Sequence, residues 1–328
     1  MVTKEANAPG DDNKNKNTSI TTMYPNLTDF FHCQTKEHPL SRTQQQLPSN
    51  LTFVAHTMLA FAPARRMLPS WVEYHRVIMG IQHFIIYVNE PWSNFTRNPD
   101  YFYHPPYITY VPFRESLGLN PFKFQQAAQI DAIQRLHGSS VEWIAMMDVD
   151  EYFQLTATTT VNKNASSPQD TGALLQLLRE QYDLSVKNTK KEVASFTVRG
   201  PRFGYHPHQN SSNLKDLPIC AQLGRETANS NIKLFVRPNI TTYISIHGVT
   251  GGETEVHLNP TTTGLRFGHF HAERIVFDNE NTVVMDESFR DQACSAVRHE
   301  LQSYFPRYKD DNMTAPPDIY AYDNEEQA

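Results

Sequence analysis

The sequence predicts an α/β protein built on a mostly parallel sheet, with a β-rich carboxyl-terminal half. Near-continuous apolar runs such as "HFIIYV" (83–88) and "VEWIAMM" (141–147) read as strands covered on both faces. Segments of helical spacing separate them, which is the βαβ pattern. Towards the carboxyl end, shorter β-like segments replace that alternation.

Residues 1–48 are rich in Asn, Thr, Gln, Lys and Pro without periodicity, and are expected to form a flexible polar arm or stem. A folded domain is expected over 49–312 and a loose acidic tail over 313–328. Within the domain, "LTFVAHTMLAF" (51–61) reads as the first strand. In the helix that follows, Leu68, Trp71, Val72, His75, Ile78 and Met79 fall at helical spacing, with Pro69 and Ser70 in the first turn. Strands at 83–88 and 107–113, a helix from Pro121 to His137 stopped by Gly138, and a strand ending at Met147 come next. A polar loop then spans 156–169, and "TGALLQLLREQY" (171–182) is an amphipathic helix. β-like segments at 192–206, 231–238, 241–249 and 264–271 precede a final helix at 286–304.

"WIAMMDVDEYF" (143–153) carries the chemistry, because Asp148, Asp150 and Glu151 follow the last apolar position of a buried strand. Like charges this close repel, so a cation is expected among them. Ligands of open α/β sheets bind beyond the carboxyl ends of such strands. Hard oxygen donors there suit Mg²⁺ or Mn²⁺ together with substrate phosphates.

Composition narrows the field. A net charge of −6 and a pI near 6.2 give no footprint for nucleic acid. The chain has no P-loop, GxGxxG, HExxH or GxSxG, which argues against ATPases, nicotinamide enzymes, zincins and α/β-hydrolases. Cys33, Cys220 and Cys294 form no metal-ligand spacing. Sequons begin at Asn17, Asn26, Asn50, Asn94, Asn164, Asn210, Asn239 and Asn312, where chance gives roughly three or four. That excess points to a secretory-pathway lumen. The uncharged stretch Leu47 to Ala64 is broken by Pro48, Ser49, Asn50 and Pro63, and the first residues lack an apolar signal core. Membrane attachment is therefore expected only through an anchor that this sequence lacks.

Two segments together resemble a known family. "LPSWVEYHRVIMGIQHFIIYVNE" (68–90) is similar to the first block of glycosyltransferase family 92, in which a W-x-E-Y-H helix leads through a Gly into a strand. "WIAMMDVDEYF" resembles that family's D-x-D-E strand end, and "IKLFVRP" with "IH" (246–247) resembles its Lys-x-x-x-x-Pro and His block. "YVNE" departs from the family's Asp-Asn pair at position 89. The resemblance covers residues 51–275. It implies a GT-A fold, a Rossmann-like nucleotide-sugar-binding sandwich with a mostly parallel central sheet and a β-rich acceptor half. It also implies galactose transfer from UDP-galactose to a glycan acceptor with inversion, in the Golgi lumen, by a type II membrane protein.

On that resemblance Asp150 is the first candidate for direct metal ligation, with Asp148 reaching the metal through water or contacting the ribose. Glu151 holds a basic residue or orients the loop, or makes a structural hydrogen bond. The imidazole ligand is His247 or, on alternate positions of "FGHFH", His269 or His271. Inversion needs a base opposite the leaving group, for which Glu226 and Glu253 are the candidates. Lys233 and Arg237 are placed against the diphosphate, Arg199 and Arg202 flank Gly200 in a turn lining the donor pocket, and Asn89 ends a strand facing the nucleotide. Two other readings remain: a GT-A transferase with another donor or a retaining outcome, and a secreted carbohydrate-binding protein that lost catalysis. Intact Asp148, Asp150 and His247 favour catalysis.

Overall fold

The apolar runs of the amino-terminal half form β1 (Phe53–Leu59), β2 (His83–Val88), β3 (Ile108–Pro112) and β4 (Trp143–Met146). The computed structural model describes residues 47–59, 62–89, 95, 103–113, 121–155, 172–200, 202–203, 231–242, 244–245, 248–249, 254–270 and 287–305. The chain divides into units Met1–Gln45 and Gln46–Ala328, and every described residue belongs to the second. Between the strands run α1 (Ala62–Val77) and α2 (Pro121–Leu136). Beyond β4 come β5 (Glu151–Leu155), α3 (Ala173–Thr189), β6 (Val193–Gly200), β7 (Arg202–Phe203) and β8 (Asn231–Val236). The last elements are β9 (Ile244–Ser245), β10 (Gly248–Val249), β11 (Thr254–Leu258), α4 (Pro260–Thr263), β12 (Leu265–Phe270) and α5 (Glu287–Tyr304).

Among the described residues the central sheet has seven strands in the order β3-β2-β1-β4-β8-β6-β11. Neighbours pair in parallel except at β8, which is antiparallel to both β4 and β6. The expected mixed α/β fold with a mostly parallel sheet is therefore present. A second sheet, β5-β12-β7, carries the chain onward from the acidic turn. Gly200 lets β6 pass against β12: a Cβ there would lie 1.8 Å from the Phe267 carbonyl oxygen. The run 192–206, read as one β segment, accordingly splits into β6 and β7 of different sheets.

Alternate residues of each strand face opposite layers. Phe53, Ala55, Phe84, Ile86, Trp143 and Phe235 join Trp71, Tyr74, Leu174, Leu178, Val297 and Leu301 in one core, so α1, α3 and α5 supply that side. The other face meets α2, where the Tyr87 hydroxyl donates to Asp131 at 2.6 Å. Gly138 ends α2 at φ +76°, as its C-terminal position requires. Its N–H donates to Asn239 Oδ1 at 2.7 Å, and His137 Nδ1–H donates to the Pro238 carbonyl at 3.0 Å. These bonds tie α2 to the turn after β8.

Helix α1 starts earlier than its apolar spacing indicates. Pro69 lies inside it rather than in its first turn. An interior proline costs about 3 kcal/mol. Burial of Met67, Leu68, Trp71, Val72 and Tyr74, each at 2% exposure or less, offsets that cost. No helix among the described residues is long and apolar enough to cross a membrane.

The carboxyl-terminal helix is locked to α1 through charge as well as packing. Arg76 Nη2 lies 2.6 Å from Glu300 Oε2 and 2.7 Å from the buried Glu73, whose other oxygen accepts from the Tyr103 and Tyr107 hydroxyls. Ala293, Val297 and Leu301 are at most 1% exposed. Leu301→Ala should therefore cost about 2–5 kcal/mol in urea unfolding, in a single transition with the rest of the domain. A change near zero would show α5 to be an appendage.

Candidate functional site

The acidic segment is a tight turn between two strands rather than a solvated strand end. The Met147 N–H still donates to the His56 carbonyl of β1 at 3.1 Å, so the parallel ladder persists one residue past β4. The chain then reverses. Glu151 N–H donates to the Asp148 carbonyl at 3.1 Å, and Asp148 N–H donates to Glu151 Oε2 at 2.8 Å. Val149, 3% exposed, anchors the turn in the core. Sequence periodicity missed β5, because "EYFQL" has no alternation long enough to mark a strand.

Helix α1 grips β5 by its backbone. Trp71 Nε1–H donates to the Glu151 carbonyl at 2.9 Å, and the Tyr74 hydroxyl donates to the Phe153 carbonyl at 2.5 Å. His75 Nδ1 lies 2.8 Å from the Trp71 carbonyl, which can only accept, so Nδ1 carries the hydrogen and Nε2 faces the Phe153 N–H at 3.4 Å. Three residues of the W-x-E-Y-H segment thus hold the strand that opens with Glu151. Glu73 points away, to Arg76 and the two tyrosines.

Partners for the acids come from β8 and β12. Lys233, 5% exposed on the antiparallel strand, places Nζ 2.6 Å from Asp148 Oδ2 and 2.8 Å from Glu151 Oε2. Gln125 Nε2 of α2 donates to Asp148 Oδ1 at 2.8 Å. His269 pairs with Glu151 across the β12–β5 ladder; its Nε2 is 3.1 Å from Asp150 Oδ2 and its Nδ1 3.7 Å from Glu151 Oε1. Oxygens of Asp150 and Glu151 and a ring nitrogen of His269 lie within 4.8 Å of one another. Glu151 Oε1 is buried without a hydrogen-bond partner.

Charge and burial compete here. Burial pushes the Glu151 carboxyl up; Lys233 and His269 pull it down, while Asp148 and Asp150 add to the rise, which prevails. Burial works against the Lys233 ammonium, but Asp148 and Glu151 raise it above the usual lysine range. Burial likewise opposes a charged His269, and the hydrogen bond and charge of Asp150 more than compensate, raising it. For Asp148, burial is outweighed by Lys233, and its carboxyl falls below the ordinary value. His56, 1% exposed on β1, has two ring nitrogens without hydrogen-bond partners and is pushed down to about 3 by burial. Nothing in the strand pattern "FVAHTML" marks that histidine as part of this neighbourhood.

The structure brings together five residues singled out from the sequence: Asp148, Asp150, Glu151, Lys233 and His269. Lys233 sits mid-sheet with two acids as partners. Asn89 follows β2 and donates its N–H to the Leu59 carbonyl at 3.1 Å, at the carboxyl edge of the parallel strands. Arg237 is at the other end of the sheet, its guanidinium 4.3 Å from the Tyr182 ring centroid and 5.9 Å from that of Trp143. Arg199 is exposed near the end of β6, inside a strand rather than a turn. Arg202 opens β7 beside His269, and its side chain lies outside the described residues. Glu226, His247, Glu253 and His271 also lie outside them.

The sequence profile of glycosyltransferase family 92 matches residues 50–274, more than half of the chain. The protein belongs to glycosyltransferase family 92. No curated protein matches the chain. Among solved structures it is similar to a putative glucose-1-phosphate thymidylyltransferase from Bacillus anthracis, solved with sucrose, at 10% identity and a TM-score of 0.26, over 57% of this chain and 72% of that one. It is also similar to a glycosyltransferase involved in glycosylating the major capsid of PBCV-1, at 12% identity and a TM-score of 0.27, over 74% of this chain and 98% of that one. At such scores neither likeness bears on activity or donor. Membership in family 92 gives the acidic turn its context: a glycosyl-transfer domain whose W-x-E-Y-H helix braces its D-x-D-E strand.

Neutral buried histidines make this family 92 domain acid-sensitive. Burial lowers His75 to about 3, against 6.5 in the unfolded chain, and His56 shifts alike. Between those values the unfolded state binds more protons, so stability is complete above pH 6.5 and is lost as pH falls towards 3. Each histidine should cost about 2 kcal/mol by pH 5. Glu151 and His269, both raised, act in the opposite sense. Urea unfolding of the parent and of His75→Phe at pH 7.5 and 5.0 therefore isolates the histidine share, and the same pH dependence in both would contradict the neutral assignment.

Proposed function

We propose that this protein is a metal-dependent transferase that moves galactose from UDP-galactose to a glycan acceptor with inversion. The observation that carries the metal part is the grouping of Asp150, Glu151 and His269, in which Glu151 Oε1 is buried without a hydrogen-bond partner and faces His269 Nδ1 at 3.7 Å. Two carboxylates and an imidazole form a donor set that suits Mn²⁺ or Mg²⁺, with Mn²⁺ the better match for the nitrogen. The residues therefore fit the cofactor. A divalent cation held there would neutralise the negative charge that gathers on the nucleoside diphosphate as the bond to the sugar breaks.

The chain's own residues prepare that site. Asp150 and Glu151 supply negative charge at the carboxyl edge of the sheet, where Asn89 also stands. His269 completes the grouping from β12. Inversion calls for a base on the acceptor side, and Glu226 and Glu253 remain the candidates for accepting the hydroxyl proton. Galactose, the UDP carrier and the inverting outcome follow from the family resemblance of the D-x-D-E and W-x-E-Y-H segments. A Golgi-lumenal setting is supported by the sequon excess and by Cys294, which is disulfide-bonded, since such bonds persist in oxidising compartments.

Asp150→Asn keeps side-chain size and removes one negative charge. Turnover of UDP-galactose should fall by on the order of 10²–10⁴. Mn²⁺ with UDP should raise the melting temperature of the parent protein but not that of Asp150→Asn. Full activity and unchanged metal dependence in the variant would show that the grouping is structural only.

A further inference from the structure

Glu151 has two carboxylate oxygens in unlike surroundings. Its Oε2 receives the Asp148 N–H at 2.8 Å and faces Lys233 Nζ at 2.8 Å. Its Oε1 has no hydrogen-bond partner and lies on the side of His269. Two donors on one oxygen fix the carboxylate, and the fixed carboxylate turns the other oxygen towards the candidate cation site. Asp148 is engaged at both ends, by Gln125 at Oδ1 and Lys233 at Oδ2. The three acids are thus divided: Asp148 and one oxygen of Glu151 belong to the lysine, while Asp150 and the other oxygen of Glu151 belong to the site with His269.

We propose that Lys233 is a positioning residue, a resident counter-ion whose ammonium sets the Glu151 carboxylate and so presets the cation site. The proposal rests on the metal-dependent reading above. Its backbone is held in the interior of the sheet, with Val198 of β6 directly across from it and β4 on the other side. A straight four-carbon stem with three donors reaches both acids from that strand. A guanidinium fork has a different shape and reach, so arginine is not an equivalent there. The role differs in sign from that of a charge merely near the site. By Coulomb's law alone, deleting a neighbouring cation tightens the binding of another cation. If Lys233 positions Glu151, deleting it loosens that binding, because the carboxylate loses its orientation.

The test compares the full chain with Lys233→Met, Lys233→Arg, Asp148→Asn and the pair Lys233→Met/Asp148→Asn. Binding of Mn²⁺ alone is read by titration calorimetry and by electron paramagnetic resonance, and melting is followed without metal. Lys233→Met should bind Mn²⁺ roughly tenfold more weakly or worse and melt several degrees lower, because it strands buried carboxylates. The paired variant should regain part of the lost melting temperature yet keep weak Mn²⁺ binding, and Lys233→Arg should not restore parent affinity. Should Lys233→Met fail to fold, the paired variant carries the comparison with Asp148→Asn. Tighter or unchanged Mn²⁺ binding once Lys233 is removed overturns the proposal. If the parent itself takes up no Mn²⁺, the metal-dependent reading falls separately. Melting then decides the counter-ion role: a drop in Lys233→Met supports it, and no change overturns it.

Discussion

One buried ammonium makes the acidic turn possible. Asp148, Asp150 and Glu151 crowd three carboxylates into four residues, and Glu151 is 1% exposed. Left to themselves they would repel, and the innermost would be forced to neutralise. Lys233, itself buried, lies within 2.8 Å of two of them, and His269 takes the third. The arrangement depends on the antiparallel strand β8, which enters between β4 and β6 and carries the lysine into the interior. Fold and site are therefore one problem. Among the described residues, the one antiparallel member of the central sheet is the strand that brings the balancing charge.

A second constraint acts on the backbone. β5 must leave the turn in a fixed direction for Glu151 and His269 to face each other across the β5–β12 ladder. Trp71, Tyr74 and His75 supply that direction through bonds to main-chain atoms of Glu151 and Phe153. Aromatic contacts fill the space around them, with His75 stacked on Tyr152 at 5.5 Å and Tyr74 edge-on to it at 5.0 Å. Helix α1 is held from behind by Glu300 of α5 through Arg76, although α5 lies beyond the segment matched to family 92. Precision at the acids comes from rigid neighbours rather than from the turn itself.

Much of this was legible in the sequence because it is local. Continuous apolar runs marked β1 to β4, helical spacing marked the body of α1, the stop at Gly138 marked the end of α2, and the acids stood out at the end of a buried strand. The resemblance to family 92 named the same two segments. What stayed hidden depends on distant pairing. Lys233 is 85 residues from Asp148, and no local pattern says that "NIKLFV" runs antiparallel beside "WIAM". The spacing of "FGHFH" offered His269 only as a rival to His247, because facing Glu151 is a property of the ladder register. Arg237, a diphosphate partner by sequence position, lies at the far end of the sheet against Tyr182, since antiparallel β8 runs from Lys233 back towards the amino end of β4. Pro69 misled for the opposite reason: a local rule placed it in a first turn, and burial of α1 overrode the rule.

The central claim is the division of labour among the acids, and the position of a bound metal decides it. Crystals grown with Mn²⁺ and UDP, measured at the manganese absorption edge, would locate the ion by its anomalous signal. The account predicts a peak among Asp150, Glu151 Oε1 and His269, with Lys233 still bonded to Asp148 and Glu151. A peak on Asp148, with Lys233 swung out to the diphosphate, would contradict it.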